Sequence, residues 1–194
     1  MLKGCEDIIL KLLEIAKKYN TLKSYEDVIL ECNRKLMSKG ISLYGMFYPE
    51  EELNKYFTYK GKISYDEKSK DFEYFFDELG RLRITKRYSN GELLNIIYYN
   101  YINNYIEIYW YHCIEKTICC VGYIEYIDGK LVRFVESGDD DIFTLLQNNE
   151  KIKSYFEYDF NDDNDYLVKR VFSSKMYSDG RIFEKTIKTP KIYN

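Results

Sequence analysis

Residues 72–135 read FEYFFDELGRLRITKRYSNGELLNIIYYNYINNYIEIYWYHCIEKTICCVGYIEYIDGKLVRFV. Val, Ile, Tyr, Phe and Thr dominate six runs, and these residues suit a pleated, half-buried surface. The runs are FEYFFDE, RLRITKRY, ELLNIIYYNYI, YIEIYWYHC, KTICCVGYIEYI and KLVRFVE. Between them lie Glu78-Leu79-Gly80, Ser89-Asn90-Gly91, Asn103-Asn104 and Asp128-Gly129. Asn-Gly and Asp-Gly supply the positive φ of tight hairpin turns. The stretch is therefore a β-meander.

Downstream, residues 151–160, 166–173 and 181–189 read as further strands, joined at an acidic turn (161–165) and at Ser178-Asp179-Gly180. A short helix is expected over 142–148. Upstream, YFTYKGKISYD reads as a hairpin or bulged strand around Gly61, and 41–49 as a connector broken by Gly45 and Pro49. The total is nine to eleven strands with short loops, hence an antiparallel sheet.

The N-terminus has a different period. Ile8, Ile9, Leu12, Leu13, Ala16 and Tyr19 recur at three and four, which predicts an amphipathic helix over 5–19. Glu6 and Asp7 then fall in its first turn and Lys17 and Lys18 in its last, matching the helix dipole. A second helix is expected from Tyr25 to Ser38, capped by Ser24 and stopped at Gly40. Its inward residues would be Tyr25, Val28, Ile29, Cys32, Leu36 and Met37. The fold class is α+β: one domain over 1–194, with a helical hairpin (1–40) packed on a large curved antiparallel sheet (56–189). A sheet of that many strands curls or splits, so a half-barrel or sandwich is expected.

Bulk composition narrows the function classes. The chain has 29 basic and 32 acidic residues, a formal charge of −3. Without a basic surplus, phosphate neutralisation is a poor explanation, which argues against nucleic acid. The arginines 81, 83 and 87 alternate on one strand beside Tyr99 and Tyr101, the one arrangement suited to stacking bases, but Glu73 and Asp77 lie close by. Tyrosine is abundant, 22 of 194 residues, and suits interfaces. Five cysteines show no framework spacing, which implies reduced thiols in the cytoplasm. The N-terminus lacks a signal-peptide pattern, and no apolar run reaches a membrane span.

Motifs that carry chemistry are absent: GxSxG, a P-loop, a strand-following GxGxxG and HExxH. No catalytic residue, cofactor or metal is assigned. His112, the single histidine, alternates with Ile106, Ile108 and Trp110 and so reads as a core-facing residue. Residues 159–165 imitate the first half of a calcium loop, but Asn164 stands where glycine is needed and Arg170 where a bidentate Glu is needed. Glu107, Glu125, Glu136 and Glu157 lie on strands; alternate charged positions are the ordinary solvent face of an antiparallel sheet.

One pattern recurs: an aromatic, two or three residues, Gly, a charged residue, then Leu or Ile. It spans Phe76–Leu82, Tyr88–Leu93, Tyr126–Leu131 and Tyr177–Ile182. Each copy predicts a hairpin whose aromatic closes the turn against an aliphatic partner across the ladder. These units resemble the tyrosine-and-glycine hairpins of YD-repeat proteins. In size, mild acidity, tyrosine richness and lack of catalytic motifs the chain resembles the immunity proteins of contact-dependent and other polymorphic toxin systems.

That resemblance implies a non-catalytic binding protein that neutralises a cognate toxin domain by covering its active site. The expected partner is a basic toxin domain, met by the acidic tips Asp139, Asp140, Asp141, Asp162, Asp163 and Asp165, crowning one end of the sheet, and by exposed Tyr109 and Tyr111. Two other uses stay open: a ligand-binding or hydrolytic barrel with a pocket inside the curved sheet, and a phage inhibitor of a host defence protein.

Overall fold

The computed structural model describes residues 2–40, 42–43, 62–128, 130–137, 154–159, 166–173 and 183–190. Two helices, α1 (Leu2–Ala16) and α2 (Leu22–Leu30), precede eleven strands. These are β1 (Arg34–Lys39), β2 (Lys62–Ile63), β3 (Phe72–Phe76), β4 (Leu82–Ser89), β5 (Glu92–Ile102) and β6 (Tyr105–His112). They continue with β7 (Thr117–Ile127), β8 (Lys130–Ser137), β9 (Ser154–Asp159), β10 (Tyr166–Ser173) and β11 (Phe183–Pro190). All belong to one antiparallel sheet in the order β11-β10-β9-β8-β7-β6-β5-β4-β3-β1-β2. From β3 to β11 each strand lies beside its sequence neighbour, so the meander is real and extends to the last strand.

Three copies of the aromatic–Gly–aliphatic pattern fall on described residues, and each places its two ends in register: Phe76 opposite Leu82, Tyr88 opposite Leu93, and Tyr126 opposite Leu131. In each the ladder slips at the aromatic, and the extra residue follows the aliphatic: Arg83, Leu94 and Val132. A further copy was not legible as one. Tyr111 stands opposite Ile118 at the same kind of slip, with Cys119 as the extra residue. There Lys116, at φ 54°, takes the left-handed position that glycine fills elsewhere. The Tyr177–Ile182 copy lies outside the described residues, as do the expected structures at 44–61 and 142–148.

The first helix is as expected, except that it begins at Leu2, so Glu6 and Asp7 lie beyond its first turn. Lys17–Tyr19 form a separate 3-10 turn. The N-cap of α2 is Thr21, not Ser24: the Thr21 hydroxyl accepts from the Ser24 amide at 3.4 Å. The larger correction concerns the second helix, which ends at Leu30. Residues 34–39 form a strand instead, antiparallel to β3, because ladder partners from Arg34↔Phe76 to Ser38↔Phe72 outweigh local helix propensity. Gly40 does stop an element, at φ 82°, but the element is β1.

Both faces of the central sheet are buried. On one, α1 and α2 cover Ile84, Ile96, Tyr98, Tyr109, Tyr111, Ile118, Val121 and Val135 through Ile9, Leu12, Leu13, Ala16 and Tyr25. The other collects Tyr74, Phe76, Leu82, Tyr99, Ile106, Ile124 and Phe134, with Leu36 and Leu43 packed against them. A long-range bond pins the helical layer: the Asn20 side-chain carbonyl accepts from the Ile118 amide at 3.1 Å, beside the β6–β7 slip.

Candidate functional site

Among the described residues, the largest chemistry-bearing constellation crosses β3 to β6 on the helix-covered face. It starts at Asp77, in the β3–β4 turn. Asp77 Oδ1 accepts from the backbone amides of Leu79 (3.0 Å) and Arg81 (2.9 Å), and Oδ2 accepts from Arg81 Nε at 2.8 Å. Arg83 Nη1 lies 3.8 Å from the same oxygen. Arg83 reaches this face because it is the extra residue of the first slip, which breaks strand alternation.

From Arg83 the chain of contacts continues inward. Arg83 Nη2 donates to the Tyr98 hydroxyl (3.3 Å), Tyr98 to Asn100 Oδ1 (3.3 Å), and Asn100 Nδ2 to Glu107 Oε2 (2.9 Å). Tyr109 donates to that same Glu107 oxygen at 2.8 Å. Tyr19 closes the group from the helical layer, its ring 4.9 Å from that of Tyr98 and 5.0 Å from that of Tyr109. Burial pushes the Tyr19 phenol up to about 12, helped by Tyr98 and the charge of Glu107. Burial and the Glu107 hydrogen bond push the Tyr109 phenol far higher. Tyr19 and Tyr109 are therefore neutral at any physiological pH.

A second cluster ties β1, β3 and β4 together. Glu73 accepts from Lys70 Nζ at 2.8 Å, from Lys35 Nζ at 3.4 Å, and from the Tyr88 hydroxyl. Burial alone would raise its carboxyl; the bonds from Lys70 and Tyr88 and the two lysine charges outweigh that and hold it below the usual range. Asp77 behaves the same way, its burial outweighed by the bonds from Arg81.

These positions correct several expectations. Tyr109 and Tyr111 are 0% and 3% exposed, so neither is a surface contact residue; both pack beneath the helices. Glu107 is buried rather than solvent-facing, because both sheet faces are covered. Arg81, Arg83 and Arg87 do not form one stripe: Arg83 turns to Asp77 and Tyr98, while Arg87 stands opposite Phe72. Tyr99 is buried in the opposite layer and Arg81 stacks over the Tyr101 ring at 4.9 Å.

His112 is half-buried, and its Nδ1 accepts from the Glu115 amide at 3.2 Å in the β6–β7 turn. Glu125 pairs with Arg133 at 2.8 Å. Cys32 and Cys113 are free thiols, the Cys120 thiol donates to the Ser137 carbonyl at 2.9 Å, and no metal-binding cluster exists among the described residues.

Asp139, Asp140, Asp141, Asp162, Asp163 and Asp165 lie outside the described residues. Segment 138–153 joins Ser137 to Ser154, whereas 160–165 joins Asp159 to Tyr166, at the opposite end of β9. Among the described residues no helix is long and apolar enough to cross a membrane. No protein-family model, curated protein or solved structure matches the chain.

Proposed function

We propose that the protein is a non-catalytic binding module, an immunity protein that neutralises a basic toxin domain in the cytoplasm by covering its active site. The observation that carries this reading is how the buried polar groups are used. Asp77 and Glu107 are joined through Arg83, Tyr98 and Asn100, with Tyr109 on Glu107, and Glu73 separately ties Lys35, Lys70 and Tyr88, as networks that fix a fold do. The hydrolytic-barrel alternative needs convergent carboxylates around a cavity. The described buried carboxylates instead lie in two separate clusters, and Tyr25 and Tyr109 are fully buried under the helices, which favours the binding module.

The acidic segments Asp139–Asp141 and Asp162–Asp165 are the proposed contacts for basic surface on the partner. Opposite charge at an interface rim acts mainly on association rate. Asp→Lys changes in each segment are therefore expected to slow association with the captured partner and to flatten its salt dependence. Unchanged association by both sets of variants would remove the acidic contacts from the account. We also propose that the sheet bends into a half-barrel or sandwich. The four register slips support this, since bulges bend strands and increase twist. A small-angle scattering profile fitting a flat, extended sheet would contradict it.

A further inference from the structure

The two edges of the sheet are built differently. At one, β2 is only two residues long, Lys62–Ile63, and both are exposed. So short an edge, carrying a lysine, offers little backbone to an added strand. At the other, β11 runs eight residues, Phe183–Pro190, each paired with β10 on the inner side. Among the described residues no strand lies on its outer side, so alternate N–H and C=O groups of β11 lack a ladder partner there.

Lysines on an edge deter most added strands, and β11 carries Lys185 and Lys188. A second copy of the same strand is the exception. Two identical antiparallel strands related by a two-fold axis set one residue opposite its own copy, which leaves few registers. Centring on Lys185 sets two lysines against each other, and centring on Ile187 sets Glu184 against Pro190. Centring on Thr186 sets Glu184 opposite Lys188 of the second copy, twice by symmetry, with Thr186 opposite itself. Glu184, Thr186 and Lys188 are alternate positions and share one face of the strand. Opposite charges and paired threonines are favourable cross-strand neighbours. This register spans 183–189 and stops before Pro190, which has no N–H to donate.

We propose that β11 is a dimerisation edge, and that its partner is β11 of a second copy, antiparallel and centred on Thr186. The sheet continues across the two-fold axis, and the blunt β2 edge ends the association at two. This assignment stands apart from the toxin-binding reading.

The test is sedimentation of the whole chain over a range of concentrations. A monomer–dimer equilibrium is expected for the wild type. Glu184→Lys and Lys188→Glu each set like charges opposite one another across the axis, and each should weaken dimerisation by about tenfold or more. Within the chain the residues opposite these positions on β10 are Phe172 and Val168, so neither change sets like charges opposite each other there. Mixing the two variants one to one restores opposite charges at both pairs, and the dimer should re-form. A wild type that is monomeric at every concentration, or folded variants that dimerise undiminished, overturns the proposal. So does a mixture of folded variants that stays monomeric. Should a variant fail to fold, hydrogen exchange on the wild type decides. Amides within 183–189 should exchange faster on dilution while those of Lys62 and Ile63 do not; exchange at 183–189 that ignores concentration overturns the proposal.

Discussion

Phe76 stands opposite Leu82 at the residue where the β3–β4 ladder slips. The same relation joins Tyr88 to Leu93, Tyr111 to Ile118 and Tyr126 to Leu131. Every time, the aromatic leads into the turn, the aliphatic follows it, and the next residue is the extra one of a bulge. The meander is thus a repeated bulged hairpin. Its turns are therefore the places to test how the sheet is specified.

Gly91 sits at φ 81° in the two-residue loop between Ser89 and Glu92, with open space around it. Gly91→Val has room but not the conformation, so it should destabilise by about 1–2 kcal/mol through backbone strain. Urea denaturation with an unchanged m-value would report this. A midpoint equal to wild type would mean that the turn does not constrain the register.

Asp77 organises the β3–β4 turn through two backbone amides and Arg81. Asp77→Ala should cost about 2–3 kcal/mol, since bonds to a charged group are lost and Arg81 is left without its partner. The same unfolding measurement distinguishes this from the 0–1 kcal/mol or so typical of an exposed ion pair.

Two buried tyrosines should respond in opposite ways to loss of a hydroxyl. The Tyr25 hydroxyl is buried and has no hydrogen-bond partner among the described residues. Tyr25→Phe is therefore expected to be neutral or stabilising by about 1 kcal/mol. Tyr109→Phe removes a donor from Glu107 and should cost about 1–3 kcal/mol. Equal effects of the two substitutions on thermal midpoint would contradict the described network.

The pH limits follow from the shifted groups. Glu73 and Asp77 are held below their ordinary values in the folded state. Their contribution is present above the unfolded carboxylate pKa of about 4 and is lost as pH falls through the lower folded values. Tyr19 shifts the other way. Its contribution is full below the unfolded pKa of about 10 and disappears as pH rises through the folded value of about 12. Stability measured against pH should decline at both ends. In Asp77→Asn the acid decline should be shallower, and an unchanged acid slope would argue against this assignment.

How far these features could be read in advance depended on the kind of signal. The strand β5 is legible to the residue, Glu92–Ile102, because Asn90-Gly91 and Asn103-Asn104 bracket a run rich in Leu, Ile and Tyr. The face of each side chain was not legible. Strand parity separates inside from outside only when one face is wet, and here both faces are buried. The slips compound the difficulty: one extra residue at Arg83 or Cys119 reverses the alternation that follows. Tyr109 and Tyr111 therefore read as outward-facing beside Ile106 and Ile108, although all four strand positions face packed layers. The segment Arg34–Lys39 escapes local reading for a related reason, since its strand state comes from β3, which lies more than thirty residues downstream.

The central claim, a binding module for a basic toxin domain, is tested most directly by affinity capture. The tagged chain is expressed in its own organism, washed in steps of rising salt, and its bound material identified by mass spectrometry. The account predicts a stoichiometric protein partner carrying a basic toxin domain, released as salt rises, whose toxicity is suppressed by co-expression of this chain. A co-purifying small molecule turned over by the chain, with no such protein, would contradict it.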